Sequence, residues 1–202
     1  MPNALRLTLL GIGAMRSPRY RPAGLLVEWR GRRVALDGGP GATPRGHLDA
    51  WLVTDERSEL RSSLRVLAAR KGFVCCAAGF AARGLRIAPL EVVHTSHRAF
   101  GYRIEAAGRC AVWAPEFWTF PEWGAGADVM FAEAAGWDRP IRFARGVGGH
   151  MAALDVARKA RALGVKRLVF AHIGRPSIRA RDTGARLPYG EWGIEGRVYR
   201  LR

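Results

Sequence analysis

The sequence predicts an α/β fold in which two β-sheets pack face to face with helices outside. Two observations carry this expectation: the chain reads as two strand-rich halves, and each half closes on a strand, helix, strand pattern. A third sets the scale. At 202 residues, 49% hydrophobic and 25% charged, the chain has the size and composition of one globular domain with a sizeable core.

In the first half, Leu5 to Leu10, Gly24 to Trp29 and Arg33 to Asp37 are short strand-like runs separated by glycine-rich turns and closed by Gly38, Gly39 and Pro40. They form an N-terminal β-meander. Ala50 to Thr54 and Phe73 to Cys76 read as strands flanking a helix in which Leu60, Leu64, Leu67 and Ala68 recur at helical spacing. Leu85 to Val93, Phe100 to Ala106 and Cys110 to Trp113 make a second meander. Val129 to Ala132 is a strand, a helix from about His150 to Leu163 carries Ala153, Val156, Ala157 and Ala160 on one face, and Arg167 to Ala171 closes the pattern. No repeat, linker or low-complexity segment interrupts it. A site is expected along one edge of the sandwich, where loops leave the strands.

No apolar run approaches the roughly 20 residues that cross a bilayer. The opening MPNALRLTLLGIG is too short and lacks a cleavage site for a secretory signal, so a cytoplasmic protein is expected. Cys75, Cys76 and Cys110 are an odd number without zinc spacing and read as free thiols. The net charge of +16 attracts nucleic acid, nucleotides or other anions. Against a dedicated nucleic-acid stripe, 30 of the 33 basic residues are arginines scattered from Arg6 to Arg202, a pattern that genome composition also produces.

The stretch LTLLGIGAMRSPRYRPAGLLVEWRGRRVALDGGPGA resembles the opening of a metallo-β-lactamase-superfamily hydrolase, in the branch of tRNase Z and small phosphodiesterases, and the resemblance runs over nearly the whole chain. It implies a four-layer αββα sandwich of two mixed sheets, with Asp37 as structural support for a metal site. The family's His-x-His-x-Asp-His motif falls on LVTDERSEL, where Asp55, Arg57, Glu59 and Leu60 take the four ligand places. The motif is degenerate: Arg57 is a fixed cation and Leu60 has no lone pair, so the dinuclear zinc site cannot form unchanged. Asp55 and Glu59 are left to hold a harder ion such as manganese or magnesium, or else Arg57 replaces the metal's charge by pairing with both.

Later motifs match better. In VVHTSHRAFGYRIE either His94 or His97 fills the next ligand place, Glu116 stands for the bridging aspartate, and RLVFAHIGRP supplies His172. Glu133 and His150 match a catalytic pair in which a carboxylate behind an imidazole suits it to protonate a leaving oxygen. A helix head at His150 would favour a phosphate there. Arg57, Arg98 and Arg175 are the expected substrate-binding cations. Trp113, Phe117, Trp118, Phe120 and Trp123 crowd Glu116 as core, lid or a base-stacking surface.

The resemblance implies a metal-dependent hydrolase of a phosphodiester or related anionic ester, with zinc or manganese as cofactor or no metal at all. Its substrate is small or a nucleic-acid end, because the long arm of tRNA-processing relatives has no room here, and a homodimer is compatible. One alternative is a catalytically silent scaffold that binds nucleotide or nucleic acid through arginines; another is metal-free chemistry by Glu133 and His150.

Overall fold

The computed structural model describes residues 4–58, 60–144 and 148–202, so Glu59 lies outside the described residues. Its strands, in chain order, begin with β1 (Leu5–Gly11), β2 (Gly24–Trp29), β3 (Arg32–Asp37) and β4 (Ala50–Leu52), followed by helix α1 (Arg61–Ala69). Then come β5 (Phe80–Ala82), β6 (Leu85–Val92), β7 (Ala99–Ala106), β8 (Arg109–Ala114), β9 (Val129–Ala134), β10 (Ile141–Arg142) and β11 (Gly149–His150). Helix α2 (Ala153–Ala162), β12 (Leu168–Ile173), helix α3 (Arg175–Asp182), β13 (Glu191–Trp192) and β14 (Val198–Leu201) complete it.

One mixed sheet has the order β14-β1-β2-β3-β4 and the other β13-β12-β9-β8-β7-β6-β5, with β10 and β11 pairing separately. Alternation sets the inner faces. Leu5, Leu7 and Leu9 of β1, Leu25 and Val27 of β2, and Val34 and Leu36 of β3 are buried in the core shared with the second sheet. Leu26 and Ala35 point the other way and pack with Trp51, Leu64 and Ala68, which seats α1 on the outer face of the first sheet. On the second sheet, α2 lies against β9 and β12 through Ala153, Val156, Ala157 and Ala160. The expected sandwich of two sheets with helices outside is therefore the observed one.

Strands β8, β9, β12 and β13 run parallel, and β9 and β12 are buried along their whole length, as befits strands covered on both faces. The parallel strands end together, and such ends are where open α/β sheets bind ligands. Among the described residues no helix is long and apolar enough to cross a membrane.

Several local expectations are corrected. Phe73 to Cys76 is not a strand; only a single bridge joins Cys76 to Leu52. The second helix begins at Ala153 instead of His150, which belongs to the two-residue strand β11. Beyond the elements expected from sequence, Arg175 to Asp182 is helical, and β14 returns to the first sheet, pairing Leu201 with Leu5.

Candidate functional site

Strand ends from both sheets open into one cavity of about 480 Å³, within the usual range for small-molecule sites. Asp37, Thr54, Asp55 and Arg57 line it from the first sheet, and His94, His97, Glu116, His150, His172 and Arg175 from the second. Asp37 (φ 51°) and His172 (φ 69°) both adopt left-handed backbone, a conformation that non-glycine residues hold only where the surroundings enforce it.

Glu133, fully buried on β9, organises the second-sheet side. Its Oε2 accepts from the His150 Nδ1 at 2.7 Å and the Phe117 amide at 3.2 Å; its Oε1 accepts from the Ala135 amide at 2.7 Å and the His172 Nδ1 at 3.3 Å. Glu116, just past β8, spans the other two rings: Oε1 lies 2.7 Å from the His172 Nε2 and Oε2 2.9 Å from the His94 Nε2. His94 Nδ1 meets the Gly149 carbonyl at 2.9 Å. Each nitrogen of His94 and His172 thus faces an acceptor with no proton to give, so without a metal both rings carry both protons.

The electrostatics agree. Burial opposes charge on His172, but Glu116 and Glu133 overcome it and raise its pKa to about 10. Burial also opposes charge on His94, and Glu116 again reverses it, moving the ring upward. Glu133 is held at about 2, burial being outweighed by His150 and His172, and Glu116 is held well below the carboxylate range, chiefly by His172.

On the first-sheet side, Asp37 accepts from the Thr54 amide (2.7 Å), the Thr54 hydroxyl (3.0 Å) and the Trp113 indole (2.7 Å). Burial pushes its carboxyl up to about 6 against those donors. Asp55 faces His97, whose Nε2 lies 3.0 and 3.1 Å from its two oxygens. The Arg57 side chain does not bridge Asp55; only its backbone amide does, at 2.7 Å, while its guanidinium makes no ion pair among the described residues.

Of the expected site residues, the structure brings His94, Glu116, Glu133, His150 and His172 into one network and sets Asp55 and His97 apart as a pair. Arg57 and Arg175 line the cavity. Arg98 does not: it pairs with Glu91 and lies over Phe100, with its side chain 76% exposed. Trp113, Phe117 and Phe120 are core, and Trp118 carries Arg142 on its face. Sequence reasoning missed Thr54 and the indole of Trp113 as partners of Asp37. It also missed Phe143, whose ring lies 5.3 Å from His94 and 5.1 Å from His150. The adjacency of Thr54 to Asp55 was a readable signal; the lone Phe143 in a loop was not.

The site brings together residue types that can hold a divalent ion. His94 and His172 each face one oxygen of Glu116, and imidazole and carboxylate are ligand types that suit zinc or manganese. Glu133, His150 and His172 also bring one donor atom each within 4.8 Å of one another and form a candidate metal site. Both Glu133 oxygens are already occupied, so this carboxylate acts mainly by orienting the imidazoles. On the first-sheet side, among the described residues, Arg57 and Leu60 offer no lone pair and Asp55 pairs with His97.

Two mixed sheets, with a histidine and carboxylate cluster where their parallel strands end, define the metallo-β-lactamase sandwich. The chain belongs to the β-lactamase superfamily, whose domain model matches residues 39–173. It is similar in structure to a diphosphatase of the PhnP family, at 19% identity over 98% of this chain and 97% of that one, with a TM-score of 0.72. The metallo-β-lactamase fold protein YhfI from Bacillus subtilis matches at 14% identity, 98% and 100% coverage and a TM-score of 0.74. Zn2+-bound PqqB from Methylobacterium extorquens matches at 16% identity, 97% and 100% coverage and a TM-score of 0.70. At these identities the likeness is one of fold, and relatives with this fold bind divalent metals such as zinc. No curated protein matches the sequence.

Proposed function

We propose that the protein hydrolyses a phosphodiester or related anionic ester, small or at a chain end, with one divalent ion at an atypical site. The observation that carries this reading is the single buried carboxylate of Glu133, which holds Nδ1 of both His150 and His172 and leaves their Nε2 atoms for other work. With its Nδ1–H committed to Glu133, His150 presents Nε2 as the atom that would donate a proton to the leaving oxygen. Arg57 and Arg175, both without an ion pair among the described residues, receive the anionic oxygens. Ala14, Met15, Leu60 and Phe143 offer an apolar wall for the body of the substrate. His94, Glu116 and His172 would hold the ion, which when bound stabilises negative charge developing on the ester. The likeness to a diphosphatase supports the phosphate class.

A silent anion-binding scaffold is the second reading, favoured by Arg57 and Leu60 standing at ligand places of the family motif. Metal analysis of protein purified without added zinc, with turnover of bis(p-nitrophenyl) phosphate, separates the two. We expect close to one ion per chain, lost in His172→Ala together with at least ~100-fold in turnover, beyond the loss typical of an outer-sphere partner. Metal-free protein with no turnover, even after metal is added, would establish the scaffold reading.

A further inference from the structure

The cavity contains a second carboxylate–imidazole pair that the reaction outlined above leaves idle. Asp55 follows β4 and is 7% exposed; His97 sits in the loop between β6 and β7, and its side chain is 23% exposed. Both line the cavity that holds His150 and Glu116. The pair is held firmly. The His97 Nε2 contacts both Asp55 oxygens, and Oδ1 also takes the Arg57 amide at 2.7 Å. Thr95 Oγ1 donates to the His97 carbonyl at 3.0 Å and accepts from its amide at 3.4 Å. The Phe100 amide donates to the Thr54 carbonyl at 2.8 Å, which ties the loop to the residue before Asp55.

The His97 Nε2 faces both Asp55 oxygens, which can accept from it, and its Nδ1 has no hydrogen-bond partner among the described residues. Where His150 gives its proton to the leaving group, a second imidazole in the cavity can take one from the attacking water in the same step. His94 and His172 have both nitrogens committed, and His150 is placed as donor. His97 is the imidazole left over, on the cavity side supplied by the first sheet's Asp55.

We infer that His97, oriented by Asp55, is the general base of this hydrolysis, an assignment that rests on the hydrolase reading. The water oxygen bonds to phosphorus as its proton passes to the His97 Nδ1. The bond from phosphorus to the leaving oxygen breaks, and that oxygen takes the proton of the His150 Nε2. The two rings then return to their starting states by exchanging protons with solvent.

The test uses metal-loaded full-length protein and bis(p-nitrophenyl) phosphate. His97→Gln should lower kcat by 10²- to 10⁴-fold, roughly the span of acid–base catalysis. KM should stay within about threefold and metal content should not change, because the base neither binds the anion nor ligates the ion. Imidazole added to the buffer should restore part of the lost rate. Asp55→Asn, which keeps an acceptor for the Arg57 amide, should lower kcat in the same direction and serves as the second arm if His97→Gln fails to fold. Near wild-type kcat in a folded variant would overturn the assignment, as would a loss that imidazole does not restore or loss of the metal. A wild-type protein with no turnover removes the hydrolase reading and this assignment together; an active wild type with an active His97→Gln removes only the assignment.

Discussion

His172 is clasped between two carboxylates, and this couples its proton to folding. Its pKa is raised from an ordinary 6.5 to about 10, so the stability it contributes is complete below 6.5 and disappears as pH rises through about 10. Glu133 runs the opposite way: held at about 2, it contributes stability present above 4.5 that is lost as pH falls towards 2. By these two groups, protein stripped of metal should be most stable between about 4.5 and 6.5, with Asp37, raised to about 6, favouring the acid end of that window and the thermal midpoint dropping by several degrees towards pH 10. A bound divalent ion would displace the His172 Nε2 proton and flatten that decline. A midpoint indifferent to pH between 6.5 and 10 in metal-free protein would contradict the doubly protonated ring. At this scale the sequence was partly readable. Glu133, His150 and His172 were recognisable from their motifs. The choice between His94 and His97 was not, because both sit at workable spacing and only the closure of the two sheets gives Glu116 to one and Asp55 to the other.

Among the elements, β11 does more for the site than its length suggests. Gly149 donates its amide to the His94 carbonyl at 2.9 Å and offers its own carbonyl to the same residue's ring, so this short strand holds His94 while carrying His150. Gly148 has φ 129°, and a Cβ there would lie 2.0 Å from the His94 carbonyl oxygen, a backbone atom that cannot step aside. Gly148→Ala should cost several kcal/mol, from strain and clash together, and should weaken metal binding. Gly164→Ala is the control: φ is 68° but the space is open, so the cost should be only about 1 kcal/mol. Urea midpoints with metal titration check both. Two-residue strands have no periodicity to read, which is why β10 and β11 escaped the sequence. The helix start was misplaced because no capping side chain marks it; Ala152 occupies the cap without a side-chain bond. For α3 a signal did exist, since Pro176 stands in its first turn after Gly174, yet the arginine-rich composition hid it.

For the whole molecule, the charge of +16 surrounds a cavity lined by Arg57 and Arg175, which make no ion pair among the described residues. Such a field gathers anions from solution and is screened by salt. The KM for a charged diester should rise several-fold between 50 and 500 mM salt, about the range over which screening tightens, with kcat little changed. An uncharged ester should show no such rise, and equal salt responses would count against arginine capture. The two-sheet architecture was legible because buried parallel strands such as β9 and β12 open on continuous apolar runs, Val129 to Ala132 and Leu168 to Ala171. The return of β14 was not, because four residues of mixed polarity pair with β1 only through the tertiary fold.

That return orders the birth of the molecule. β1 waits for an edge neighbour that emerges only after every strand of the second sheet has been made. Until then β1 presents an unpaired backbone edge on which another copy could add a strand, so the newly made chain needs shelter from its own kind before its first sheet is closed.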